Sequence, residues 1–264
     1  MKRKLKRILA LTLSLLMLIP AFSSQVLASP ATRGTCGKNL SWKFSDGTLT
    51  ISGKGAMSNF DIDETPWGAL EVKKVVIKEG VTSLGRCAFG WQEDVSSIKL
   101  PKSLKKIGVD ALTGTSLKSV TVAKGSKHFS TKGGVLFNKK KTVLYYYPSK
   151  KKGSSYTVPS SVKTIATAAF SGDEGLCGQN PYLEKLILPK KLKKVEAGAF
   201  DGSNVETFKF LGANPKFAKG AFGEGGATIL YPKKHRKCWR SAIKALKKEY
   251  VDEDGSPLLK FNWF

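Results

Sequence analysis

Two histidines, four cysteines and two groups of carboxylates are the residues of this 264-residue chain whose types could do covalent or metal chemistry. His128 stands among lysines and His235 lies within KKHRK. Neither has a cysteine or carboxylate at a spacing that builds a catalytic pair or a metal site. Asp252-Glu253-Asp254-Gly255 begins like a calcium loop but lacks the downstream glutamate that would complete it, so a polar turn is expected. Asp61 and Asp63 precede Pro66 in a polar stretch and read as a solvated loop. Cys36, Cys87, Cys177 and Cys238 form no CxxC pair, and HExxH, GxSxG, P-loop and GxGxxG motifs are absent. No cofactor or metal is expected, and an enzyme is the least supported class.

Lysine is the residue left with work to do. The net charge is +25. Between residues 95 and 170 there are fifteen lysines and one acid, Asp110. Nine of these lysines lie at 124–152, among them Lys139, Lys140 and Lys141, interleaved with Phe129, Phe137 and the run Tyr145-Tyr146-Tyr147. On an extended strand Tyr145 and Tyr147 share one face and could stack on sugar planes, with Tyr146 turned inward. A second set, Lys105, Lys106, Lys163, Lys193, Lys194 and Lys216, recurs at one place in a repeating pattern. Two readings stay open: a solvated face that keeps the protein soluble, or a surface for polyanions.

The elements that must position these lysines are repeats. VKKVVIKEGVTSLGRCAF (72–89), VSSIKLPKSLKKIGVDAL (95–112) and LEKLILPKKLKKVEAGAF (183–200) align without gaps. Val75, Ile98 and Leu186 match, as do Ile77, Leu100 and Leu188, and each copy closes on Phe89, Leu112 or Phe200. Further copies end at Phe170 and Phe222, and Leu117, Val120 and Val122 open one that an insertion interrupts. The step from Phe89 to Leu112 is 23 residues and from Phe200 to Phe222 it is 22. One such strand cannot bury its apolar face alone, but stacked coils bury a continuous core. Leu100 and Leu188 should therefore point inward, with Lys99 and Lys209 outward. Pro101, Pro159 and Pro189 end the strands. Cys87 aligns with Asp110, Ala168, Gly198 and Gly220, which reads as a site for a small packed side chain.

The [IL]-x-[IL]-P-x-x-[LV]-x-x-[IV] pattern with its terminal Ala-Phe resembles the BspA-like leucine-rich repeats of secreted and surface proteins of bacteria. The flanks GTCGKNLSWKFSDGTLTISGKGAMSNF and ATILYPKKHRKCWRSAI resemble that family as well. The resemblance implies a right-handed, strand-rich repeat solenoid, and a role in adhesion or surface interaction with an unspecified protein or glycan. No copy has an asparagine after the strand, so an asparagine ladder is not expected.

The expected organisation is a signal peptide at 1–28, an N-terminal β cap at 29–71, repeats at 72–226 with an inserted hairpin at about 123–154, and a C-terminal cap at 227–264. The leader has a basic head, an apolar run from Ile8 to Phe22 and small residues before the cleavage point. Its removal leaves a charge of +20. No transmembrane anchor and no sorting motif for covalent attachment are expected beyond it. In the N-terminal cap, LSWKFSDGTLTISG reads as a hairpin around Asp46-Gly47, with Trp42 and Trp67 as lids. In the C-terminal cap, Trp239, Ile243, Leu246 and Tyr250 share a helix face ahead of a final strand. Caps at opposite ends of a stack with about 4.8 Å per coil cannot bring Cys36 and Cys238 within the roughly 4.4–6.8 Å that a disulfide needs. The expected function is a secreted, non-catalytic binding or adhesion protein. The alternative is a structural envelope protein held by charge to an anionic wall polymer. Nucleic acid is not an expected partner.

Overall fold

Asp46 and Gly47 adopt φ values of 50° and 70°, the left-handed pair that a two-residue hairpin turn requires. Around this turn Arg33–Gly37 (β1), Leu40–Ser45 (β2) and Thr48–Gly53 (β3) pair antiparallel. The computed structural model describes residues 30–62, 64–172, 180–223 and 225–264. The leader at 1–28, Asp63 and Cys177 lie outside them. Trp42 and Trp67 meet edge-on at 6.0 Å and are buried. The Trp67 indole N–H donates to the Ala88 carbonyl at 3.0 Å, which fixes the lid to the first repeats.

From β3 onward the chain winds. Gly55–Ala56 (β4), Lys74–Ile77 (β5), Val81–Leu84 (β6), Ser97–Leu100 (β7), Lys106–Ile107 (β8) and Val120–Val122 (β9) alternate between two walls. Parallel pairing puts β3, β5, β7 and β9 in one sheet and β4, β6 and β8 in another. Val75 faces Ile98 and Ile98 faces Val120, so equivalent repeat positions occupy successive rungs. The hairpin strand β3 is thus also the first rung. Leu100 and Leu188 are fully buried while Lys99 is exposed. Lys209 is half-buried, its ammonium 4.2 Å from the centre of the Phe264 ring.

The insertion comprises Phe129–Lys132 (β10), Val135–Asn138 (β11) and Val143–Tyr146 (β12), an antiparallel meander rather than the single hairpin expected. It ends both walls of the first block and starts the second. Winding resumes with Ser155–Thr157 (β13), Thr164–Ile165 (β14), Lys185–Leu188 (β15), Lys194–Val195 (β16), Thr207–Phe210 (β17), Lys216–Phe217 (β18) and Ala227–Tyr231 (β19). The sheets here run β13-β15-β17-β19 and β10-β11-β12-β14-β16-β18. Strand β11 is apolar and buried on both faces. Leu136 packs with the first block's core, and Val135 and Phe137 pack with the second's. The insertion is therefore an internal partition.

The position shared by Cys87, Asp110, Ala168, Gly198 and Gly220 has φ of 52°, 56°, 53°, 60° and 70°. A left-handed backbone, and not side-chain volume, is what the repeat demands there. Non-glycine residues in this conformation carry roughly 1–2 kcal/mol of strain, which offsets the extra chain entropy that glycine loses on folding. Ala168→Gly should therefore leave the denaturation midpoint nearly unchanged or raise it. Its buried neighbour Ala169 has no such conformation, and Ala169→Gly should cost about 1–2 kcal/mol. Equal losses from the two changes in urea denaturation would contradict this reading.

Arg236–Glu249 (α1) closes the second block with Trp239 and Leu246 buried, and Tyr250 buried at its end. Trp239 stacks on Tyr231 at 5.2 Å. Leu259–Trp263 (β20) then adds as a parallel strand on β19.

Candidate polyanion-binding wall

The tip of the β11–β12 hairpin carries Lys139, Lys140 and Lys141 on a rigid frame. The Asn138 side-chain carbonyl accepts from the backbone N–H of Thr142 and Val143 at 2.7 and 3.1 Å, and its amide donates to Thr142 Oγ1 at 2.8 Å. Lys141 takes φ of 50° to complete the turn. The Ser161 hydroxyl donates to the Lys141 carbonyl at 2.8 Å, tying the tip to the next coil.

From that tip a column of lysines continues rung by rung. The Thr142 carbonyl accepts from the N–H groups of Lys163 and Thr164, and the Lys163 carbonyl from those of Lys193 and Lys194. The Lys193 carbonyl accepts from the Lys216 N–H at 2.8 Å. Thr164 faces Lys194 and Lys194 faces Lys216 in register. Adjacent strands lie about 4.8 Å apart. Lys139, Lys140, Lys163, Lys193, Lys194 and Lys216 are all exposed, and Lys141 is half-buried. The hairpin and the repeat lysines, separate surfaces by sequence, thus form one basic wall. Among the described residues Lys194 is the only one of these lysines paired to a carboxylate, with Glu196 at 2.8 Å. At that exposure the pair is worth about 1 kcal/mol or less and leaves the wall strongly positive.

Lys105 and Lys106 do not join it. They sit at the edge strand β8 of the first block, across a cleft of about 400 Å³ lined by Ile107, Asp110, Tyr145 and Thr164. Burial raises the Asp110 carboxyl above its ordinary value, and its partner Thr113 opposes that rise.

The tyrosine expectation needs correcting at one position. Tyr145 is half-buried, edge-on to Phe129 at 5.6 Å. Tyr147 is not on its face: β12 ends at Tyr146, and the Tyr147 N–H turns to the Ala169 carbonyl. Its ring is 4% exposed, stacked on Phe170 at 5.1 Å, and burial pushes its hydroxyl up to about 12. Tyr147 is a core residue and shares no exposed strand face with Tyr145. Tyr146 is buried as expected and shares a hydrogen bond with Thr115 at 3.0 Å.

The remaining candidates for chemistry lie apart. His128 is exposed and His235 precedes α1. Asp61 pairs with Arg86. The Asp252 carboxylate accepts from the Ser256 N–H at 2.7 Å, as in a polar turn. Cys36 is buried in the N-terminal cap, its thiol pushed up to about 11 by burial, and Cys238 is exposed on α1. Among the described residues no three His, Cys, Asp or Glu side chains gather as a metal site, and no helix is long and apolar enough to cross a membrane.

Similar solved structures include the following three. A leucine-rich repeat protein from Eubacterium ventriosum is 18% identical with a TM-score of 0.34, covering 76% of this chain and 80% of its own. The pneumococcal vaccine antigen PcpA is 16% identical with a TM-score of 0.39, covering 87% and 98%. A leucine rich cell surface protein from Faecalibacterium prausnitzii is 13% identical with a TM-score of 0.38, covering 77% and 89%. No curated protein matches the chain. The BspA type leucine rich repeat region, in six copies, matches residues 61–177 and 144–234. With the same repeats stacked in register in the structure, the chain belongs to the BspA-type leucine-rich repeat family.

Proposed function

We propose that this is a secreted surface protein that binds without catalysing a reaction, and that its basic wall holds an anionic polymer. The single observation that carries the reading is the rung-to-rung continuation from the hairpin tip through Thr142 to Lys163 and Lys193, with Lys194 facing Lys216 on the next rung. Like charges at such spacing repel by roughly 1 kcal/mol in water. A polymer bearing phosphate, sulfate or carboxylate groups relieves that repulsion and releases its own counterions. The leader sequence supports export, where wall polymers and acidic glycans are the abundant polyanions.

The experiment compares binding to linear polyphosphate, a sulfated glycan and an uncharged glycan at 50 and 300 mM salt. The two anionic probes should bind at low salt and weaken steeply at high salt, while the uncharged glycan does not bind. Salt-insensitive binding to the uncharged glycan would place recognition in shape and hydrogen bonding and remove the wall from the function.

A further inference from the structure

The partition breaks the first wall as well as the second, and leaves a cleft where a strand is missing. It holds about 390 Å³ and lies between the β10 end, at Lys132 and Gly133, and β13. Strand β13 is the terminal strand of its sheet and pairs on one side only, with β15. The Ser154 carbonyl accepts from Glu184 and Lys185, and the Val158 N–H donates to Ile187. Backbone groups alternate sides along a strand, so those of Ser155 and Thr157 face away from β15, into the cleft. Among the described residues no other strand or side chain bonds to them. The cleft floor is aromatic, Tyr147 and Tyr156 with ring centres 4.9 Å apart. Its rim is Lys132, Lys151 and Lys152, and no carboxylate lines it. The Lys151 ammonium reaches across to within 3.8 Å of where a Cβ on Gly133 would stand.

We propose that this cleft takes an extended acidic peptide segment, which adds as a strand to the free edge of β13. Two outward amides and two outward carbonyls at a two-residue repeat match the backbone of an extended peptide. A polyanion without N–H groups cannot serve the carbonyls. The lysine rim selects acidic side chains on that peptide. The β13 edge is on a different sheet from the lysines of the basic wall, so peptide addition there stands or falls independently of polyanion binding.

The probe is an acetylated hexapeptide of alternating Glu and Val, followed by fluorescence anisotropy with the full chain. The same peptide methylated at every amide nitrogen keeps its charge and should bind at least about tenfold more weakly, since its backbone donors are gone. Thr157→Pro removes the cleft-facing N–H and leaves the ladder to β15 intact, as edge strands tolerate, and should weaken the parent peptide about as much. Thr157→Ala should bind like the unaltered protein. Lys151→Gln/Lys152→Gln should weaken binding and reduce its salt dependence. Polyphosphate binding should be untouched by Thr157→Pro. Equal affinity for the methylated and unmethylated peptides would overturn the proposal, even if Thr157→Pro prevents folding. So would equal loss with Thr157→Ala, or displacement of the peptide from the cleft by polyphosphate at matched charge.

Discussion

Phe137→Ala is expected to cost about 3–5 kcal/mol, and Leu136→Ala about 2–5 kcal/mol, by chemical denaturation. Both side chains are fully buried, on opposite faces of β11. Phe137 stands with Val135 and Leu144 against Val158, Val162 and Ile165 of the second block. Leu136 stands with Phe129 and Tyr146 against the first block. Truncating either opens a cavity that neighbours on stacked rungs cannot close without breaking register. An inserted hairpin that merely protruded would lose little from either change. The m-value adds information, because it scales with the surface exposed on unfolding. If the partition joins the blocks, each variant unfolds in one transition. If it isolates them, Phe137→Ala produces two transitions, the second block melting first.

Reversing Lys163 and Lys193 together to glutamate is expected to weaken polyphosphate binding at least about 30-fold at low salt, because roughly 1 kcal/mol is lost for each lysine removed from an anionic surface and about 1.4 kcal/mol is tenfold. Both side chains are exposed on the wall and neither is in an ion pair among the described residues, so stability should change by about 0.5 kcal/mol or less. Reversing Lys139, Lys140 and Lys141 should act in the same direction, because the tip leads the same column. Lys105→Glu/Lys106→Glu is the matched control: the same change of charge, placed on β8 across the cleft. It should weaken binding much less. If it weakens binding as much as the wall variants, the polymer responds to net charge alone.

The periodic part of this fold was legible because stacking makes the same demand at every rung. Val75, Ile98 and Leu186 recur since each must fill the same layer. The Asp-Gly turn and the two tryptophan lids were legible for local reasons. The partition was not, although a signal was present. Val135-Leu136-Phe137 is an unbroken apolar run, which marks a strand buried on both faces rather than an alternating one. Alternation is real in β12, where Val143 and Tyr145 are half-buried and Leu144 and Tyr146 buried; extending the strand one residue past its end placed Tyr147 on the surface. The left-handed position was visible as a column of small residues, but size and backbone conformation select overlapping residue types, and Cys87 and Asp110 disguised it. The continuity of the hairpin tip with Lys163 could not be read at all. It depends on β12 pairing with β14, and although the paired residues are 21 apart, close to the repeat step, Val143-Leu144-Tyr145-Tyr146 does not carry the repeat's residue pattern.

Lysine footprinting tests the central claim most directly. The protein, alone and with polyphosphate, is acetylated briefly and each lysine is quantified by mass spectrometry. Lys139, Lys140, Lys163, Lys193, Lys194 and Lys216 should be protected together, in one contiguous band, while Lys105, Lys106, Lys247 and Lys248 react as in the free protein. Protection spread evenly over these lysines, or centred on Lys105 and Lys106, would contradict a basic wall that runs from the hairpin tip down the second block.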